Sequence, residues 1–316
     1  KKFLHKSSKK FFFIVSNSLQ NYLKISKTKN IFFKNLIYLF PLFFKIFFKR
    51  EKNYNLISIG DYPLPIFKNQ IVFVNQANLI KNEEYEFSSQ SISFLLKRIY
   101  FKIFSKNVKK FIVQSNFMKF KLMQSYNLDK KKFLIYKDLI QKPNFSFKLY
   151  KRRKVIKLLY PSNHYEYKNH ELLIELFKNY KIKNIEIYVT ATKKEFQKFR
   201  ISKSFRRLDY FKNHRVFKVY SKFDALIFPS FIESLGLPIL EAKLFKMPII
   251  CSNLPYAKEL LGNKGIFFNP LSTKSLYKSL MSYLSLKNKK NLHQKLFQYS
   301  NRKKFRSDVL LKKLFI

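Results

Sequence analysis

The sequence predicts an α/β protein of two doubly wound domains, residues 1–150 and 151–316, on three observations. The chain has 316 residues, too many for one small core and enough for two units of about 150 each. Hydrophobic residues make up 47% of it and aromatics 18%, enough to build buried cores despite the heavy charge. Beyond residue 154, short apolar runs alternate with amphipathic stretches, the pattern of parallel strands joined by helices.

Taken in order, the second half predicts strands at Val155 to Tyr160, Ile185 to Thr190, Ala225 to Phe228, Ile249 to Ser252 and Ile266 to Phe268. Helical patterns fall between and after them, at Asn169 to Asn179, Asn213 to Lys222, Pro238 to Phe245, Tyr256 to Leu261 and Thr273 to Leu284. In the first half, strands are expected at Phe11 to Val15, Leu56 to Ile59, Ile71 to Asn75, Phe111 to Gln114 and Phe133 to Tyr136, with helices around Ser91 to Ser105 and Phe117 to Tyr126. The basic stretch Lys148 to Lys154 reads as the linker, and Asn291 to Phe315 as one or two basic helices that pack back on the first domain.

Charge narrows the partners without fixing them. Lys and Arg total 65 against 18 Asp and Glu, a formal net charge of +47 that repels itself unless anions compensate it. Two sources stay open. Lys, Phe, Ile, Asn and Tyr share AT-rich codons, or the charge serves an anionic membrane, phosphate-bearing substrates or nucleic acid. The apolar segment Ile31 to Phe48 is interrupted by Lys34, Pro41 and Lys45, which argues against a spanning helix. It reads either as a helix lying in an anionic interface or as a buried helix of the first domain.

The single cysteine, Cys251, sits in an apolar run and is expected to be a small core residue in a reducing compartment. No Cys/His zinc spacing and no Asp-x-Asp pair occurs, so no metal is expected. The chain opens at Lys1, and no signal peptide with a cleavage site is recognisable.

The chemistry concentrates in Phe228-Pro229-Ser230-Phe231-Ile232-Glu233-Ser234-Leu235-Gly236-Leu237-Pro238-Ile239-Leu240-Glu241-Ala242. Pro238 suits a first helical turn, where its missing N–H costs nothing. Leu235, Gly236 and Leu237 then stand at the helix entrance, where backbone N–H groups and the positive dipole end favour an anionic diphosphate. Glu241, about one turn in, is placed to accept hydrogen bonds from a ribose diol. Glu233, ahead of the helix, reaches the other end of the same ligand. A helix of eight residues spans about 12 Å, the length from ribose through diphosphate to hexose. Carboxylates flanking one glycosidic bond, as in a glycoside hydrolase, stand about 5 to 10 Å apart, and the phosphate-friendly helix end argues against that chemistry.

These residues resemble the retaining, GT-B-type glycosyltransferases of family four, whose E-x7-E motif is similar to Glu233 to Glu241. The likeness continues through Pro248-Ile249-Ile250, Ser252 to Glu259, Gly262 and Gly265 to Pro270. Upstream, it includes Tyr160-Pro161-Ser162, Lys168-Asn169-His170, Val219-Tyr220 and Asp224-Ala225. It covers about 155 to 285; the first half resembles the family in layout only. The resemblance implies a GT-B fold, two Rossmann-like domains facing each other across a cleft, working without a metal cofactor.

Carried over by position, it implies that Glu233 contacts the transferred sugar and Glu241 the ribose, that Ser234, Leu235, Gly236 and Leu237 line the diphosphate, and that Lys168 neutralises the departing phosphates. Ser162 falls in the donor site where many members carry an arginine. Asn75 and Gln76 stand on the acceptor side, where a histidine is common. His170, next to Lys168, reads as a helix-surface residue.

The expected function is retaining transfer of a hexose from a nucleotide-sugar donor to a lipid-linked or polysaccharide acceptor, as in lipopolysaccharide or O-antigen synthesis. It would take place on the cytoplasmic face of the membrane, with peripheral contact to anionic lipid. The alternatives are a basic nucleic-acid-binding protein and a degenerate, non-catalytic transferase scaffold. The spacing of Glu233, Gly236, Pro238 and Glu241 disfavours the first, because carboxylates repel a phosphate backbone.

Overall fold

The computed structural model describes residues 11–16, 31–33, 55–59, 61–65, 70–80, 92–136, 154–211 and 219–288. The chain divides into two compact units, each built around a six-stranded parallel sheet.

The first sheet holds β1 (Phe11–Ser16), β2 (Ile31–Phe33), β3 (Asn55–Ile59), β4 (Gln70–Phe73), β5 (Val108–Val113) and β6 (Phe133–Ile135), in the order β2-β1-β3-β4-β5-β6. Helix α1 (Ile92–Phe104) buries Phe101 against Phe111 of β5, ring centroids 5.7 Å apart. Helix α2 (Asn116–Tyr126) is capped by Ser115, whose hydroxyl accepts from the Met118 N–H, and closes on Asn127 in the left-handed region. Five of the six strands fall where the sequence places them, within about three residues.

The exception is β2. Ile31–Phe33 extend beside β1, so the Ile31 to Phe48 segment does not begin as a helix. Its remainder, the linker up to Arg153 and the basic segment Asn291 to Phe315 lie outside the described residues.

The second sheet holds β7 (Ile156–Tyr160), β8 (Ile185–Thr190), β9 (Phe205–Leu208), β10 (Ala225–Phe228), β11 (Ile249–Ser252) and β12 (Ile266–Phe268), in the order β12-β11-β10-β7-β8-β9. This is the doubly wound order, and it reverses between β7 and β10, whose Leu159 and Leu226 stand in register. Strands β10 and β11 are buried along their whole length, Cys251 included, as expected for a sheet covered on both faces.

Strand β9 carries no apolar run. Its sequence is Phe-Arg-Arg-Leu, and it forms the sheet edge, where charged side chains reach solvent and protect against further pairing. Helices α3 (His170–Asn179), α4 (Leu237–Leu244), α5 (Pro255–Leu261) and α6 (Thr273–Asn288) match the predicted stretches within a few residues. The expected Asn213 to Lys222 helix is described only from residue 219.

Candidate active site

Ligands of doubly wound sheets bind beyond the carboxyl ends of the strands, where the order reverses. Two loops meet there, one after β7 carrying Lys168 and one after β10 carrying Glu233. Lys168 Nζ donates to Glu233 Oε1 at 2.6 Å, joining residues 65 apart in sequence. Both side chains are largely shielded, 14% and 10% exposed, so the pair is held in a medium where charge interacts strongly. The ammonium also lies 5.1 Å from the Tyr167 ring centroid and 5.9 Å from that of Phe228.

The loops are fixed from below. Fully buried Tyr160, the last residue of β7, donates its hydroxyl to the Lys168 carbonyl. Asn169 follows in the left-handed region at φ 56°, a conformation asparagine tolerates. Its amide donates to the carbonyls of Pro229 at 3.2 Å and Pro270 at 2.9 Å, tying together the loops after β7, β10 and β12. Phe231 N–H donates to the Tyr167 carbonyl at 2.8 Å, and Tyr256 OH to the Ser230 carbonyl at 2.7 Å. Lys168 and Glu233 therefore occupy a rigid seat before any ligand arrives.

Helix α4 begins beside this seat. Gly236 is its N-cap at φ 68°, with no side-chain cap, and Leu237-Pro238 open the first turn. A Cβ at Gly236 would stand 3.0 Å from Leu260 Cδ1. Both the backbone sign and the space select glycine here. Gly236→Ala is expected to lower stability by about 2 kcal/mol, read from denaturant unfolding.

Glu241 has a hydrogen-bond partner within the fold. Its Oε2 accepts a hydrogen bond from the hydroxyl of fully buried Tyr220 at 2.7 Å. Burial pushes its carboxyl up to about 7, with the Tyr220 hydrogen bond pulling the other way. Sequence reasoning missed this role of Tyr220, since nothing local links positions 21 apart.

Of the remaining candidates, Leu235 and Gly236 are buried at the helix entrance, Leu237 is exposed and Ser234 lies between. Ser162 is buried and its polar groups are engaged internally. Its N–H donates to Thr190 Oγ1 and its carbonyl accepts from that hydroxyl, both at 2.8 Å, while its own hydroxyl donates to the Asn163 carbonyl.

His170 is not on the surface. It is 3% exposed, stacked on His164 at 4.3 Å with rings 12° apart, and its Nε2 has no hydrogen-bond partner. Burial holds it well below its ordinary range, helped by His164, Lys198 and Lys168, and burial lowers His164 also. Both rings contribute stability above pH 6.5 that is lost as acid forces a proton onto them. His170→Phe is expected to reduce the fall in unfolding midpoint between pH 7 and pH 5.

In the first unit, Asn75 and Gln76 follow β4 with their N–H groups donating to one oxygen of Asp61. The Gln114 amide donates to Asn75 Oδ1, and Tyr62 OH reaches Gln76 Oε1 at 3.4 Å. Asp61 is buried at φ 71° and its carboxyl is raised by burial. It is a second polar centre at a strand-end edge that no spacing rule marks. Among the described residues no group of three or more His, Cys, Asp or Glu could hold a metal ion.

Comparison with known proteins agrees with this layout. The chain is 24% identical over 276 residues to the O-antigen chain mannosyltransferase RfbU of Salmonella typhimurium, covering 83% of this chain and 73% of that one. WaaG, a glycosyltransferase involved in lipopolysaccharide biosynthesis, superposes with a TM-score of 0.62 at 12% identity, over 91% of this chain and 94% of its own. S. aureus TarM, as a variant bound to fondaparinux, α-GlcNAc-glycerol and UDP, gives 0.59 at 13% identity over 94% of this chain. This chain spans only 56% of TarM's length. These likenesses carry the GT-B fold. Residues 141–303, just over half the sequence, match the family described as Glycosyl transferases group 1, and the chain belongs to that family.

Proposed function

We propose that the chain moves a hexose from a nucleotide-diphosphate sugar to a lipid-linked or glycan acceptor of the cell envelope, with retention at the anomeric carbon. The observation that carries this reading is the Lys168–Glu233 pair, held at the point where strand order reverses and next to the Gly236 helix entrance. A donor diphosphate at that entrance meets the helix dipole and the Lys168 ammonium. Glu233, released from Lys168 as phosphate takes its place, accepts from a sugar hydroxyl. Glu241, aimed by Tyr220, accepts from the ribose diol.

As the bond from anomeric carbon to phosphate oxygen breaks, Lys168 stabilises the charge building on the diphosphate. The acceptor hydroxyl adds to the oxocarbenium-like carbon from the face the diphosphate leaves, and its proton passes to the departing phosphate oxygen. No step calls for a metal. Asp61, Asn75, Gln76 and Gln114 form the polar group that we assign to the acceptor side. The names of RfbU and WaaG support an envelope glycan and, for RfbU, mannose as the hexose.

The reaction would take place on the inner face of the cytoplasmic membrane, with the chain as a peripheral partner. Among the described residues no helix is long and apolar enough to cross a membrane. The test is a thermal-shift screen against nucleotide sugars with product analysis by anomeric NMR. Stabilisation by one donor and an axial or equatorial linkage matching that donor are expected. No shift with any nucleotide sugar overturns the reading, and binding without turnover points to a scaffold.

A further inference from the structure

Glu195 stands beyond the carboxyl end of β8 and, in a chain of net charge +47, makes no ion pair among the described residues. Thr192 and Glu195 form a capping box. The Thr192 N–H donates to Glu195 Oε2 at 2.7 Å, and the Glu195 N–H donates to Thr192 Oγ1 at 3.2 Å. The Tyr210 hydroxyl, beyond the end of β9, donates to the same Oε2 at 3.2 Å. The Thr192 N–H holds the carboxyl below its ordinary range, so it is ionised. A carboxylate has about four acceptor sites, and the two contacts to Oε2 leave those of Oε1 open in a fixed direction.

Two exposed rings accompany this carboxylate. Tyr210 is 45% exposed and Tyr165 51%. Burial, then Glu195, then Tyr165 push the Tyr210 phenol up to about 12, which brings the three groups together. Tyr165 lies parallel on Tyr167 at 5.5 Å with rings 6° apart, three residues before Lys168. The ends of β8 and β9 are joined, the Ala191 N–H donating to the Leu208 carbonyl at 2.9 Å.

Adjacent strands stand about 4.8 Å apart, so these ends lie about 5 and 10 Å past the loop that carries Lys168. Tyr220, which holds Glu241, ends the connection from β9 back to β10, and Phe223 of that connection packs edge-on against Tyr188 of β8 at 5.0 Å. A donor whose diphosphate meets Lys168 and whose ribose meets Glu241 therefore carries its base toward β8 and β9. A carboxylate only accepts, so it selects an edge of adjacent N–H donors. Guanine presents N1–H beside its 2-amino group. Uracil has one N–H between two carbonyl oxygens that a carboxylate repels, and adenine and cytosine set one amino group beside a bare ring nitrogen.

We propose that Glu195 reads the base of the donor and selects guanine, so that the donor is a guanosine-diphosphate sugar whose base stacks on Tyr165. This rests on the donor reading given above and names the nucleotide that it left open.

The experiment measures binding of GDP, IDP, UDP and ADP to the full chain by calorimetry at pH 8. IDP differs from GDP only in lacking the 2-amino group. GDP is expected to bind tightest and IDP next, with UDP and ADP weaker than GDP by about tenfold or more, the discrimination of a well-made bidentate pair. Glu195→Gln keeps the capping box, so its unfolding midpoint should be unchanged, while GDP should bind about tenfold more weakly and UDP as before. Tyr165→Ala should weaken all four nucleotides alike, since every base has a face to stack. UDP or ADP binding tighter than GDP, or GDP binding equally well to Glu195→Gln, would overturn the guanine assignment and leave the transferase reading in place. Affinities unchanged in Tyr165→Ala would overturn its stacking role. No binding of any of the four would overturn the donor reading itself.

Discussion

Lys168→Ala is expected to lower turnover by a factor of about 100 to 1,000, the loss typical when one group stabilising transition-state charge is removed. Donor binding should weaken less, since the helix entrance at Gly236 still holds the diphosphate. Stability should fall as well. With the ammonium gone, Glu233 keeps a carboxylate in a seat where it is 10% exposed, and breaking such a pair costs about 3 kcal/mol. Lys168→Met with Glu233→Gln separates the two effects: it should recover most of the stability and none of the turnover. Steady-state kinetics beside denaturant unfolding decides it. Turnover near normal in Lys168→Ala would remove the phosphate role from the mechanism.

The second large effect is expected at Glu241 and Tyr220, with opposite signs for folding and binding. The Glu241 carboxyl titrates near 7 in the folded chain against an ordinary 4.5. The fold therefore favours its protonated form. That contribution is fully present below pH 4.5 and is lost as pH rises toward 7, a change of about 2 to 3 kcal/mol after allowing for partial exposure. Glu241→Gln should accordingly be more stable than the native chain at pH 8 and about equal to it at pH 4.5.

The same variant should bind donor about tenfold more weakly at pH 8, because an amide accepts from the ribose diol less strongly than a carboxylate. In the native chain, donor affinity should rise as pH passes through 7 and the carboxylate forms. Tyr220→Phe removes the hydrogen bond that lowers the carboxyl's titration, so this rise should move to higher pH, with KM increased and kcat little changed. A Tyr220→Phe enzyme whose pH profile coincides with the native one would reduce Tyr220 to a packing residue.

Strands β10, β11 and β12 were legible because each is a compact apolar run bounded by polar or turn residues, and β8 because its β-branched and aromatic residues alternate between the buried and half-buried faces. The start of α4 was legible because Gly236 and Pro238 each have a local conformational reason to be there. The pairing partners of the same residues were not. Lys168 is one of 65 basic residues, and no local pattern says that its nitrogen meets Glu233. Edge strands β2 and β9 escaped notice for a related reason. β9 reads Phe-Arg-Arg-Leu and carries no apolar period, and β2 lies inside an apolar run that also scans as helix.

His170 shows the limit most plainly. Its neighbours in sequence, Asn169 and Glu171, suggest a helix start on the surface. Its neighbours in space, Tyr160, His164 and Phe199, bury it.

By itself the sequence determined the α/β class, the second half's strands other than β9, the helices that follow β7, β10, β11 and β12, the glycine-proline helix entrance and the excess of positive charge. Tertiary structure alone decided that Lys168 closes on Glu233, that Tyr220 holds Glu241 and that Asn169 ties three loops together. The physical reason is that propensity and periodicity act over a few residues. Contacts across 21, 65 or 101 positions are set by strand order and register: β7 lies beside β10 and brings the ends of both to one place.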